Sequence, residues 1–168
     1  METSLERVLT TSYKEDMISY MKAHPSEFRE ALELALSDKQ PYSWRSAWLL
    51  WSCMEENDPR FRKHITDILD SIKGKKDGHQ RELLKILLNM ELDEDREGIL
   101  FNLCLDLWEK TDKRPSVRVT AFKGILKVVS KHPDLAREMA FLTQDHYLET
   151  LSPGVKRSVI KMMISLEA

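Results

Sequence analysis

The chain has 168 residues, of which 42% are hydrophobic and 32% are charged, and this is enough apolar content for one globular domain and too much for a disordered tail. Its 26 basic and 28 acidic side chains give a net charge of −2, so the global charge gives no reason to expect nucleic acid or an anionic membrane as partner. The apolar runs are too short to span a membrane, and the N-terminus lacks a secretory signal. We therefore expect a cytoplasmic protein.

Six prolines organise the chain, because each is followed by apolar residues at helical spacing. Proline suits the first turn of a helix, where its missing N–H leaves no hydrogen bond unmade, and it ends the preceding helix. Acidic residues near 77 and 93 predict two further helix starts. No segment alternates with the period of a strand, so the sequence predicts an all-α fold. The predicted helices cover about 13–23, 26–37, 43–56, 59–73, 79–91, 95–110, 116–131, 133–144 and 154–166.

The helix starts recur at a nearly constant spacing. Pro41 and Pro115 are 74 residues apart, and so are Pro59 and Pro133, which makes two units of 37 in two separate series. Pro153 follows Pro115 after one further unit of 38. Periods in this range are typical of stacked helical hairpins, which bury their apolar faces only against their neighbours.

The segment from Asp112 to Leu126 resembles the HEAT-repeat pattern, in which an Asp and a Pro in a loop precede a Val-Arg pair that opens the second helix. Weaker copies begin at Asp38, Asp77 and Pro153. The resemblance implies a single domain that is an α–α superhelix (HEAT-like solenoid) of about four hairpins plus an N-terminal helix. Its predicted parts are a cap at 1–23 and repeats at about 24–57, 58–93, 94–131 and 132–168.

The resemblance also implies a ladder of structural residues, because in HEAT repeats the loop Asp and the helix-opening Arg commonly bond between neighbouring repeats. We expect loss of these residues to reduce stability first and binding only indirectly. The ladder residues carried over are Asp38, Arg45, Asp77, Arg81, Asp112 and Arg118.

HEAT-like solenoids place the second helix of each hairpin on the concave side, so the charge can be compared by face. The predicted second helices sum to +5 and the first helices to −5. Lys85, Lys123 and Lys161 recur at spacings of 38 residues, while Lys127 and Arg157 lie one turn from two of them. One interpretation is that these are solvated positions on amphipathic helices. The other is a concave basic groove for an acidic peptide, a phosphorylated partner or a nucleic-acid backbone.

Three tryptophans, Trp44, Trp48 and Trp51, lie at i, i+4 and i+7 on one helical face. We expect such a stripe to be core, because large rings fill the gap between stacked hairpins. The alternative is an aromatic contact surface, with Trp44 and Trp48 as stacking platforms for a base or an aromatic side chain.

The most direct functional interpretation is a non-catalytic protein-interaction module that works as a monomer or weak homodimer. The alternative is a nucleic-acid-binding protein or a glycosylase resembling the HEAT-like DNA alkylation repair family, although no catalytic Asp can be matched beside the tryptophans. The histidines are dispersed, the two cysteines have no neighbouring ligand, and no Gly-rich phosphate loop occurs. We therefore predict no catalytic residue, no metal site and no cofactor.

If the basic groove is functional, reversing the charge of Lys123 and Lys161 together should weaken partner binding without unfolding the protein. Affinity capture with the wild type and the double variant in parallel measures this. Equal binding by the two proteins contradicts the groove assignment.

Overall fold

A computed structural model describes the backbone of residues 1–167 and the side chains of residues 1–166, so the end of the predicted fourth repeat lies outside the described residues. All regular secondary structure within this range is helical, in agreement with the predicted class. The α-helices are α1 (Ser4–Thr11), α2 (Lys14–Ala23), α3 (Phe28–Leu36), α4 (Tyr42–Cys53), α5 (Ile65–Ile72), α6 (Asp77–Leu88), α7 (Glu94–Glu109), α8 (Pro115–Lys131), α9 (Asp145–Leu148) and α10 (Pro153–Glu167). The 3₁₀-helices are η1 (Pro25–Glu27), η2 (Pro59–His64) and η3 (Pro133–Thr143).

Every proline stands at a helix start, as predicted. Five of them are the first residue of a helix, and Pro41 is the residue immediately before α4. The two acidic starts are also confirmed: Asp77 opens α6, and the Asp93 carboxylate accepts a 2.9 Å hydrogen bond from the Arg96 backbone N–H at the start of α7. Helix starts could therefore be read from the sequence because they depend on local chemistry.

The N-terminal region differs from the prediction, because it holds two helices where one capping helix was expected. The side chain of Thr3 caps α1 by accepting a 3.1 Å hydrogen bond from the Glu6 backbone N–H. Leu5 and Leu9, one turn apart, are fully buried. The cap and the two leucines are the signals of α1, and the proline pattern did not include them.

The first helices of several hairpins also differ from the prediction in their winding. Pro133–Thr143 forms a 3₁₀-helix instead of an α-helix, and Pro59–His64 forms one before α5. A 3₁₀-helix has three residues per turn, so side chains three apart share one side. This periodicity decides which residues of η3 share a face.

The chain divides into two compact units, of which unit 1 covers Met1–Glu91 and unit 2 begins at Leu92. In unit 1, α3 and α4 form a hairpin, and α4 also packs against α2 and α6. In unit 2, α7 pairs with α8, and η3 and α10 both pack against α8. Each unit has its own core, with Leu49 and Leu83 fully buried in unit 1 and Phe122 and Ile125 in unit 2.

Arg118 is a fully buried cation in unit 2. Its guanidinium donates to the carbonyl of Trp108 (2.9 Å), to the carbonyl of Tyr147 (2.7 Å) and to the hydroxyl of Thr150 (3.2 Å). It also lies 4.4 Å from the centre of the Trp108 ring. Burial lowers the pKa of Arg118, but the ordinary value is so high that the group stays charged. The side chain therefore connects α8 to the end of α7 and to the α9 region.

Replacing Arg118 by Ala should lower the free energy of unfolding by about 3 kcal/mol, because it leaves buried carbonyls without donors and opens a cavity. Chemical denaturation of the full chain measures the change. Lys123→Ala, at an exposed position of the same helix, is the matched control and should leave stability unchanged. Equal stability of the two variants would contradict this structural role.

His79 connects three segments of unit 1. Its Nε2–H donates to the Ala35 carbonyl (2.6 Å), and its Nδ1 accepts from the Gln40 amide (3.1 Å), so both ring nitrogens are used by the neutral form. Burial lowers the pKa of His79, and nearby Lys75 acts in the same direction. The hydrogen bond to Ala35 and the charges of Asp38 and Glu82 raise this pKa in part.

Because the folded pKa of His79 lies below the unfolded value of about 6.5, the unfolded chain binds a proton more readily. The contribution of neutral His79 to the free energy of unfolding should be complete above about pH 6.5. Below that pH the free energy of unfolding should decrease, by at most about 1.4 kcal/mol per pH unit. Denaturation of the wild type and His79→Gln between about pH 7.5 and 5 tests this. The Gln variant keeps a donor and an acceptor and should show a flatter profile, whereas identical profiles would exclude His79 as the source.

Candidate functional site

The tryptophan stripe of α4 lies at the surface of unit 1, so the expectation that it is core is wrong. Trp44 is 39% exposed, and Trp48 and Trp51 are half-buried. The rings lie at the surface because the opposite face of α4 is the packed one, where Ser43 and Ser46 are fully buried.

These small side chains allow α4 to approach α3 closely. The Ser46 hydroxyl donates to the Ala31 carbonyl at 2.6 Å, and the hydroxyls of Ser43 and Ser37 lie 2.8 Å apart. Ala47, also fully buried, adds a third small residue to this face. The small residues of α4 thus form its packed side, and the rings lie on the side that remains.

Each tryptophan of the stripe has a cation beside its ring. Lys14 Nζ lies 5.3 Å from the centre of Trp48, and Lys85 Nζ lies 4.4 Å from the centre of Trp51. The Arg45 guanidinium lies 5.5 Å from the centre of Trp44. These distances allow cation–π attraction. The rings of Trp48 and Trp51 also meet edge to face at 6.3 Å.

We name this surface the cation–aromatic face. It is built from α2, α4 and α6, which pack side by side in unit 1. Its residues are Lys14, Trp44, Arg45, Trp48, Trp51 and Lys85.

Hydrogen bonds hold two members of the face in position. Arg45 Nη1 donates to the Leu9 carbonyl at 3.0 Å, which connects α4 to α1. The Trp51 indole N–H donates to Glu82 on α6. Glu82 is fully buried, and its other carboxylate oxygen accepts from Arg81 at 2.6 Å. Both oxygens of the carboxylate beside Trp51 are therefore engaged in positioning neighbours.

The predicted basic residues fall into both units. Lys85 is half-buried and belongs to the cation–aromatic face. In unit 2, Lys123 and Lys127 lie on α8, where Lys123 is exposed and Lys127 is half-buried. Arg157 and Lys161 lie exposed on α10, which packs against α8. The structure thus brings four of the five predicted cations onto two adjacent helices.

Lys14 is a member of the face that sequence reasoning missed. It is the first residue of α2, the helix that the repeat pattern left outside the hairpins. The only available signal was its place at the start of an amphipathic segment, which does not show that the residue meets Trp48.

The predicted Asp–Arg ladder takes a different form. Asp38 pairs with Lys75 (3.0 Å), and Arg45 and Arg118 bond to backbone carbonyls. Asp112 is exposed, and Arg81 pairs with the neighbouring Glu82. The arginines have structural contacts, but the loop Asp of the repeat is not their partner. A carbonyl at a helix end provides an acceptor for Arg as a carboxylate does, and it cannot be identified from residue type.

The two cysteines have no activating environment. Burial raises the pKa of Cys104 to about 12, and burial also raises the pKa of Cys53 despite the nearby charges of Lys22 and Arg60. Across the described residues, no group of three His, Cys, Asp or Glu side chains is arranged to hold a metal ion.

The family model of the HEAT repeat domain matches residues 1–165. The chain therefore belongs to the HEAT repeat family, and this membership implies an α–α solenoid. Neither the curated proteins nor the solved structures contain a significant match to the chain. Among the described residues, no helix has both the length and the apolar character that crossing a membrane requires.

Proposed function

We propose that the protein is a non-catalytic interaction module that binds an acidic segment of a partner protein on the cation–aromatic face of unit 1. HEAT repeats generally bind proteins, and this gives the class of function. The observation that carries the proposal is the cation–aromatic face, where three partly exposed rings each have a cation beside them. We take the cytoplasm as the compartment, because free cysteines such as Cys53 and Cys104 suit a reducing environment.

The chemistry of the face favours an acidic and partly apolar ligand. Exposed indole rings contribute apolar contact area at little cost in side-chain entropy, and this makes tryptophan common in binding hot spots. Lys14, Arg45 and Lys85 provide positive charge beside that area. A carboxylate of the ligand would pair with a cation while an adjacent apolar side chain covers a ring.

The basic residues of unit 2 support the same preference. Lys123, Arg157 and Lys161 are exposed on α8 and α10. Within unit 2 they provide positive charge that could take acidic ligand residues. Being exposed, they would influence the association rate and its salt dependence more than the lifetime of the complex.

Single-stranded nucleic acid is the second candidate ligand, and the ring–cation pairing favours it. Bases stack on aromatic side chains, and adjacent cations contact the phosphate backbone. Binding of nucleic acid is expected to depend more steeply on salt concentration than binding of a protein segment, because nucleic-acid binding releases condensed counterions.

The test compares Lys14→Glu/Lys85→Glu with the matched control Arg62→Glu/Lys73→Glu, whose residues are exposed and lie outside the face in unit 1. Partners captured from the native cell extract by the wild type are identified, and their affinities for the purified variants are then measured. We expect the face variant to bind about tenfold more weakly and the control to bind like the wild type.

Binding that is equal for both variants would overturn the proposed face. A second measurement uses single-stranded and duplex DNA at two salt concentrations. If the wild type binds DNA with an affinity that falls steeply with salt, and the face variant does not bind DNA, the result would support nucleic acid instead of a protein partner. Sedimentation that shows a dimer only when the face is intact would instead assign the face to self-association.

A further inference from the structure

A second candidate surface lies in unit 2, between α7 and η3. A cavity of about 370 Å³ opens there, and its lining is mostly apolar. We name it the acidic groove, lined chiefly by Phe101, Leu105, Glu109, Glu138, Phe141 and Leu142.

The two helix types explain why these residues share one groove. On α7, Phe101, Leu105 and Glu109 follow each other at four residues, which places them along one side of an α-helix. On η3, Glu138 and Phe141 are three residues apart and share one side of a 3₁₀-helix. Each helix thus contributes apolar side chains together with one carboxylate.

The apolar part of the groove is accessible. Phe141 is 55% exposed, and Phe101 and Leu105 are half-buried. The Phe141 ring meets Tyr147 edge to face, with the ring centres 6.1 Å apart. Covering such an exposed ring would remove apolar area from water, which favours binding.

The charged residues of the acidic groove indicate what kind of ligand could cover its apolar part. Glu109 and Glu138, one on each wall of the groove, are both exposed carboxylates. Lys110 pairs with Asp106 at 2.9 Å, and Arg137 is offset by one residue from Glu138, on another side of the 3₁₀-helix. The groove therefore combines an apolar interior with two exposed carboxylates.

We propose that the acidic groove binds a segment of a partner protein that presents one or two large apolar side chains flanked by Lys or Arg. The apolar side chains would enter between α7 and η3 and contact Phe101, Leu105 and Phe141, and the flanking cations would pair with Glu109 and Glu138. This preference is opposite in charge to that of the cation–aromatic face. The groove is thus a second interaction surface, and its existence does not depend on the proposed function.

The test uses two fluorescent peptide pools of about twelve residues each. The basic pool is drawn from Leu, Phe, Met, Lys and Arg, and in the acidic pool Glu and Asp replace the cations. Anisotropy is measured with the full chain, with Glu109→Lys/Glu138→Lys, with Phe141→Ser, and with the matched control Asp134→Lys/Glu149→Lys, whose residues are exposed and outside the lining. Thermal unfolding checks that each variant is folded.

We expect the basic pool to bind the wild type and the control equally and to bind each groove variant about tenfold more weakly. The acidic pool should not be affected by Phe141→Ser, and its binding should instead depend on Lys14 and Lys85. The two peptide pools therefore test binding at the acidic groove and at the cation–aromatic face separately, so a negative result for one proposal is distinguishable from a negative result for the other.

Three outcomes would overturn the groove proposal. The first is no binding of the basic pool at millimolar concentration. The second is binding that remains unchanged in both groove variants. The third is concentration-dependent self-association that Phe141→Ser removes, which would make a second copy of the chain the occupant of the groove.

Discussion

The close approach of α3 and α4 determines the surface of unit 1. Ser43, Ser46 and Ala47 are fully buried, and the Ser46 hydroxyl satisfies a carbonyl of α3. Small residues permit this contact, and a tryptophan on that side of α4 would prevent it. The rings therefore lie on the opposite side, where Lys14 and Lys85 reach them from α2 and α6. The face proposed for binding follows from the packing behind it.

Local signals predicted much of the fold. The prolines and the cap at Asp93 mark helix starts correctly, because a missing N–H and a capping carboxylate act within one turn. The missed helix α1 depends on a Thr cap and two leucines, a weaker pattern that gains its stability from burial of Leu5 and Leu9. The 3₁₀ winding of η3 has no signal that distinguishes it from an α-helix.

The candidate sites were harder to predict, because they depend on contacts between helices. The spacing of the tryptophans showed correctly that they share one side of α4, but spacing does not tell which side is packed. Arg118 was predicted as a ladder residue that bonds a loop Asp, and its partners are instead carbonyls and a hydroxyl that no residue pattern identifies. The groove at Phe141 was missed because its walls come from segments about 35 residues apart, and only the fold brings them together.

The distribution of the four tryptophans has an optical consequence. Trp44, Trp48 and Trp51 belong to unit 1 and contact solvent, whereas Trp108 in unit 2 is fully buried, with its indole N–H bonded to the Leu142 carbonyl at 2.9 Å. Indole emission shifts to longer wavelength in a polar environment, so we expect Trp44 of unit 1 to emit at longer wavelength than Trp108 of unit 2. Trp108 thus reports on the surroundings of unit 2 and the other three tryptophans on those of unit 1, without an added label.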